Sequence, residues 1–184
     1  MSVNQREIAN MDKNLDAIQE HIEQSEKAED QVLSFVLGNE EYGVDILRVQ
    51  EIKGWEKTTA IPNTPDYVMG VINLRGSVVP IVDLRVRFGL EDQTYNDSTV
   101  VIIVRSEDST GNQKIIGLVV DGVSDVYSLN ESQLQPSPEM SGTVHTEYVN
   151  GLATVADKMV IVLHVDQLIN DGILASIKKA LNIE

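Results

Sequence analysis

From Gln31 onward the chain is a succession of short runs rich in Val and Ile, each closed by turn residues, and its two longest purely apolar runs, Val100–Val104 and Met159–Leu163, hold five residues each. Runs of this length suit strands and fall far short of a bilayer span of roughly 20 residues. Val and Ile make up about a fifth of the chain, and their branched side chains fit a pleated surface better than a helix. Val32-Leu33-Ser34-Phe35-Val36-Leu37, then Gly38-Asn39, then Glu41-Tyr42-Gly43-Val44 reads as a hairpin. Further strands are expected over 68–73, 77–82, 99–104, 114–120, 123–129, 148–155 and 159–163. Helical pattern is confined to short pieces: one or two turns over Ile46–Ile52, one turn over Leu84–Phe88, and an amphipathic end from Val165 interrupted near Asp171-Gly172.

Nine or ten short strands with few helices between them predict an antiparallel, mainly β fold. With two Phe and one Trp in 184 residues, aliphatic side chains must fill the interior, which suits small packed barrels. The strands are too many for one small barrel. The expected division is two five-stranded barrels over about 31–95 and 96–165, followed by a C-terminal helix over 165–184. Val49-x-Glu51-Ile52 and Val123-x-Asp125-Val126 echo one another and suggest similar halves.

Residues 1–30 differ in composition, with eight acids, three bases and no Gly, Pro or aromatic residue. Ile8, Met11, Leu15, Ile18 and Ile22 fall on one helical stripe, and Asn4 with Glu7 approximates a capping box. Two heptads are short for a coiled coil, so the segment reads as a partly helical or disordered extension, with a partner-binding helix as the alternative.

The net charge of −15 disfavours nucleic acid and anionic membranes, because displacing counterions requires clustered cations. The charge is uneven: −5 over residues 1–30, −1 over 31–88 and −9 over 89–184. The absence of Cys excludes disulfides and thiolate chemistry, and the opening residues hold no signal-peptide-like apolar stretch, so a cytoplasmic location is expected without direct membrane insertion. Neither phosphate-binding glycine motifs nor G-x-S-x-G occurs. His145 reads as a loop residue and His164 as a strand-end residue. Asp121 and Asp125, bracketing Gly122, are the best carboxylate pair for a hydrolase. No metal or other cofactor is indicated, and a binding or scaffolding role is expected over an enzyme.

Four segments carry more specific information. They are Glu40-Glu41-Tyr42-Gly43-Val44-Asp45-Ile46-Leu47-Arg48-Val49-Gln50-Glu51-Ile52, Ile61-Pro62-Asn63-Thr64-Pro65, the run from Gly70 to Leu84 through Asn73-Leu74-Arg75-Gly76 and Val78-Val79-Pro80-Ile81-Val82, and Gly117 to Val126. In order and spacing over about residues 31–170 they resemble the CheW family of chemotaxis coupling proteins. The resemblance implies two SH3-like five-stranded barrels, no catalytic activity, and an adaptor joining the cytoplasmic tips of methyl-accepting chemoreceptors to the regulatory domain of the histidine kinase CheA in membrane-associated arrays.

The resemblance also implies residue roles. Val49 and Ile52, with Val126 as the opposite wall, would line a groove that receives the receptor helix; the alternative is that all three are core. Glu51 and Arg75 match coupling positions, or else form a surface pair of little consequence. Leu74, Arg75 and Val100 would meet the kinase. Gly70, Gly76, Gly117 and Gly122 are expected to answer backbone needs, and Pro80 to mark an edge or a bulge.

Overall fold

Two of the chain's hairpins hand the next strand to the opposite sheet. In the computed structural model, which describes residues 15–20, 31–90, 94–129, 131–136 and 146–180, ten strands form two five-stranded sheets. The strands are β1 (Gln31–Leu37), β2 (Glu40–Asp45), β3 (Val49–Gly54), β4 (Val68–Leu74), β5 (Ser77–Asp83), β6 (Val100–Glu107), β7 (Gln113–Val120), β8 (Gly122–Ser128), β9 (Val149–Val155) and β10 (Lys158–Leu163). One sheet runs β8-β1-β2-β10-β9 and the other β3-β6-β7-β5-β4. After hairpin β1–β2 the chain crosses to the edge of the second sheet as β3; after hairpin β6–β7 it returns to the edge of the first as β8. The expected division at residues 95 and 96 is therefore corrected. β3–β7 form one unit, inserted between β2 and β8 of the other, because β3 finds its hydrogen-bonding partner in β6, β5 in β7 and β4 in β5.

The two units repeat one plan. In each, the hairpin's second strand also pairs in parallel with a strand from a second hairpin: β2 with β10, and β7 with β5. Gly43 and Gly117 occupy those parallel ladders, opposite Val162 and Ile81. A Cβ on Gly43 would fall 2.4 Å from Val32 Cγ1, and one on Gly117 2.4 Å from Ile81 Cδ1. Beyond the edge strand, Thr59 bridges Val71 of β4, and Gln135 bridges Leu152 of β9. These bridges tie opposite edges together and curl each sheet into a small barrel. The echo between 49–52 and 123–126 falls on the two equivalent edge strands.

The strands read as continuous apolar runs because many are buried on both faces. Along β6, Val100, Ile102 and Val104 join Leu33, Phe35 and Leu37 of β1 in a core shared by the two units. The alternate residues Val101 and Ile103 pack with Ile72, Leu74, Val79, Ile81 and Val119 inside the inserted barrel. Val32, Leu129, Ala153, Val160 and Val162 fill the other. At roughly 1.5–3 kcal/mol for each buried aliphatic side chain, the shared layer dominates what holds the units together.

Ten strands are present among the described residues, and the one the sequence reading missed is β3. Ile46–Arg48 form a single 3-10 turn, capped by Asp45 Oδ1 accepting from Leu47 N–H at 2.9 Å, and the chain then extends. Pro80 is likewise not at an edge, since β5 lies between β7 and β4. Val71 opposite it spends both backbone groups on Thr59, so the Val71–Pro80 pair is not hydrogen-bonded and the proline nitrogen faces β7, whose ladder begins one residue later at Ile81. The missing donor thus costs nothing.

Short helices complete the fold: α1 over 15–20, α2 over Leu84–Arg87, α3 over Val165–Gln167 and α4 over Ala175–Ala180. His164 caps α3, its Nδ1 accepting from Gln167 N–H at 3.3 Å. Between α3 and α4 the backbone widens into a π-helical stretch, Leu168–Leu174, spanning the interruption expected at Asp171-Gly172. From α1, Ile18 is 5% exposed within the shared core and Leu15 packs against it. Of the expected stripe, Ile8, Met11 and Ile22 lie outside the described residues, as do Asn4, Glu7 and His145.

Candidate protein-docking surface

The residues singled out from the sequence separate into interior and surface groups. Val49 (3% exposed) and Val100 (2%) belong to the shared core, and Leu74 (7%) to the inserted barrel. The expectation that these three offer contact surface is corrected: successive residues of a strand alternate between faces, and the side chains of these three fall on faces packed against the hydrophobic clusters. Ile52 on β3 and Val126 on β8 are half-buried against the same shared core, with Val123 beside Val126 on β8. Val123 was not among the expected contacts, although the echo between the two edge strands contains it.

Glu51 and Arg75 do come together. Asn73-Leu74-Arg75-Gly76 ends β4 in a tight turn, with Arg75 at φ 50° and Gly76 at φ 89°, and Asn73 Oδ1 accepts from Gly76 N–H at 2.8 Å. The turn aims the exposed Arg75 guanidinium back at the half-buried Glu51 carboxylate on β3, and the two form an ion pair. Since β3 and β4 are the two outer strands of their sheet, the pair spans the seam where the barrel closes. In water such a pair is worth less than about 1 kcal/mol, so its geometry constrains a surface more than it stabilises a fold.

The edge of β3 is covered by α1. Ile52 lies opposite Ile102 of β6, and its backbone N–H points the other way, to Gln19 Oε1 at 3.2 Å. Asp16, Ala17 and Glu20 form the helix's exposed face.

A buried polar cluster lies on another side of the inserted unit. Arg85, 1% exposed, donates from Nε to Asp83 Oδ1 at 3.0 Å and from Nη2 to Asp83 Oδ2 at 2.9 Å. Its Nη1 reaches Thr94 O at 2.7 Å and Asp121 Oδ1 at 3.0 Å. Tyr95 lies under the guanidinium, 4.8 Å from its ring centre, and donates its hydroxyl to Asp83 Oδ2 at 2.6 Å. Burial works against the charged guanidinium, but the bonds to and charges of Asp83 and Asp121 outweigh it and hold the Arg85 pKa above its ordinary value. Burial, then the bond to Asp83, pushes the Tyr95 hydroxyl up to about 12. Sequence reading did not bring this cluster together, because Arg85, Tyr95 and Asp121 are separated in the chain and meet only where β5 and β7 end and α2 begins.

That cluster also settles the carboxylate pair. Asp121 is committed to Arg85 and, through Oδ2, to Gly38 N–H at 2.7 Å, whereas exposed Asp125 accepts from its neighbour's Val126 N–H at 2.8 Å. The two carboxylates serve separate local structures and do not converge on a substrate site. Regrouped by sheet, residues 49–120 carry −2 and the remainder of 31–184 carries −8, so the Glu51–Arg75 surface lies on the less acidic unit.

A family model described as CheW-like domain matches residues 31–172. The chain is 48% identical over 143 residues to chemotaxis protein CheW of Klebsiella aerogenes, covering 78% of this chain and 83% of the relative. To chemotaxis protein CheW of Helicobacter pylori it is 34% identical over 140 residues, covering 76% and 81%. Among solved structures it is similar to the scaffolding protein TtCheW of Thermoanaerobacter tengcongensis, with a TM-score of 0.66, 35% identity, and 76% of this chain and 86% of that one covered.

Proposed function

Since this chain belongs to the CheW-like family, we propose that it is a non-enzymatic chemotaxis adaptor that couples methyl-accepting chemoreceptors to the histidine kinase CheA and supports assembly of signalling arrays at the membrane. The observation that carries the proposal is the pair of half-buried aliphatic patches, Ile52 on β3 and Val123 with Val126 on β8, on the two strands exchanged between units. Aliphatic side chains left partly open against a rigid shared core suit the apolar face of an amphipathic helix, here that of a receptor hairpin tip.

The Glu51–Arg75 pair, on the same strand as Ile52 and at the barrel seam, gives the surface a directional polar contact beside the apolar one. Arg75 is assigned to kinase or receptor coupling. Val49, Leu74 and Val100 act from inside, holding β3, β4 and β6 in place for the residues that touch partners. No helix among the described residues is long and apolar enough to cross a membrane, so recruitment to the array goes through the receptor.

The test is co-sedimentation of purified protein with receptor-containing membranes and CheA, together with receptor-coupled kinase phosphorylation. A ternary complex with raised kinase activity is expected. Failure of the three components to sediment together rejects the adaptor assignment.

A further inference from the structure

At its Ile52 edge, the surface assigned to the receptor helix is already covered, in this structure, by a helix of the same chain. Ile18 of α1 is buried in the shared core that Ile52, Val123 and Val126 flank, and Leu15 packs against that core. Gln19, on the same face, places its side-chain oxygen on the Ile52 N–H. Residues i, i+3 and i+4 thus present two aliphatic side chains and one acceptor, while Asp16, Ala17 and Glu20 stay in water.

The Ile52 contact is the specific element. β3 is an outer strand, and the N–H of Ile52 faces away from β6 because the Ile52–Ile102 pair is not hydrogen-bonded. Any helix that covers this edge removes water from that donor and must supply an acceptor, or leave a buried N–H unpaired. Gln19 supplies it.

We propose that α1 is an internal stand-in for the docking partner: it holds the groove closed, and a receptor helix gains access by displacing it. The proposal rests on the adaptor reading for the identity of the competitor. It also specifies that competitor's chemistry, namely an amphipathic helix with aliphatic residues three apart, followed directly by a side chain that accepts a hydrogen bond. The segment's charge of −5 over residues 1–30 keeps the displaced strand of chain soluble and away from the acidic body of the protein. β1 begins at Gln31, beyond the last residue of α1, and α1 contributes no strand to either sheet, so its release removes no ladder.

The chain has no Cys, so a pair introduced at exposed Glu20 and Lys57 carries two spin labels without competing sites. In the doubly labelled full-length protein, one short, narrow distance distribution is expected, shifting to longer distances when a fragment carrying the receptor hairpin tip is titrated to saturation. Ile18→Asp combined with Gln19→Ala should show the long distances without the fragment. If α1 is seated in nine molecules of ten, this variant should bind the fragment about tenfold more tightly than the unaltered chain. Gln19→Ala alone, which leaves both aliphatic residues, should give a smaller gain of the same sign, and thermal unfolding of all three proteins checks that the barrels remain intact.

Saturation by the fragment with the distances unchanged overturns the proposal, as does equal or weaker binding by the released variant; in either case the adaptor reading stands. Binding to neither protein rejects the receptor assignment of the groove and the competition with it, while the distances without fragment still report whether α1 is seated.

Discussion

Arg85 Nη1 donates to Asp121 Oδ1 at 3.0 Å, joining the start of α2 to the point where the chain leaves the inserted sheet for the other one. Because Asp121 Oδ2 also accepts from Gly38 N–H in the β1–β2 turn, one carboxylate connects the two units. Arg85 is fully enclosed and its charge is matched by Asp83 and Asp121. Removing it strands Asp83 without a counter-charge in a site that water does not reach. Arg85→Met is expected to destabilise the protein by about 3–5 kcal/mol in urea unfolding, and Asp121→Asn by less, since that carboxylate is partly solvated.

The same cluster sets an alkaline limit. The Tyr95 hydroxyl titrates near 12 in the folded protein, above its unfolded value of about 10. A group whose pKa is raised by folding contributes its stability below the unfolded value and loses it as pH rises through the folded one. Unfolding free energy should therefore fall between about pH 10 and 12, and Tyr95→Phe should flatten that fall. Urea titrations of both proteins from pH 9 to 12 check the difference, which isolates Tyr95 from the other tyrosines.

Two glycines that look alike in the sequence should behave differently. Gly70 adopts φ 128°, and a Cβ there would lie 2.2 Å from Thr59 O, inside the bridge that curls the sheet. Gly122 has no such conformation, and its Cβ would meet nothing closer than 3.8 Å. Gly70→Ala is expected to cost more than about 2 kcal/mol and to disturb the Thr59–Val71 bridge, whereas Gly122→Ala should stay within about 0.5 kcal/mol. Thermal melts compare them directly.

Core and contact residues on the edge strands should part company in the same way. Val49→Ala empties part of the shared core and is expected to lower stability by about 2 kcal/mol or more. Val126→Ala, at a half-buried position, should cost less and act mainly on receptor-fragment affinity. Chemical unfolding and fragment titration, measured on both variants, separate the two effects.

Arg75→His should weaken receptor-coupled kinase activation while the melting temperature stays nearly constant, because the Glu51 pair is a surface pair. Unchanged kinase activation in a reconstituted mixture would remove Arg75 from the coupling surface.

Much of this architecture was readable because its causes are local. Hairpin β1–β2 announces itself through Gly38-Asn39 between apolar runs, and β6 through an uninterrupted Val-Val-Ile-Ile-Val. β3 was missed because its burial does not alternate: only Val49 is fully buried, while Gln50 to Lys53 are half-buried along an outer edge beside α1. Glu51 with Arg75 was found through the family resemblance, and Asp83 with Arg85 and Asp121 was not found, since neither spacing nor composition marks a pair formed across 36 residues.

The sequence by itself determined the strand lengths, the turns between them, the aliphatic filling of the interior and the family, because each depends on side-chain pattern within a few residues. Only the tertiary structure decided which strand belongs to which barrel. Apart from proline, every residue offers the same backbone donor and acceptor, so the choice between neighbouring sheets is made by shape and burial at long range. That choice exchanges β3 and β8 between the units, turns Val49 and Val100 inward, and leaves Ile52 at an edge where α1 can cover it.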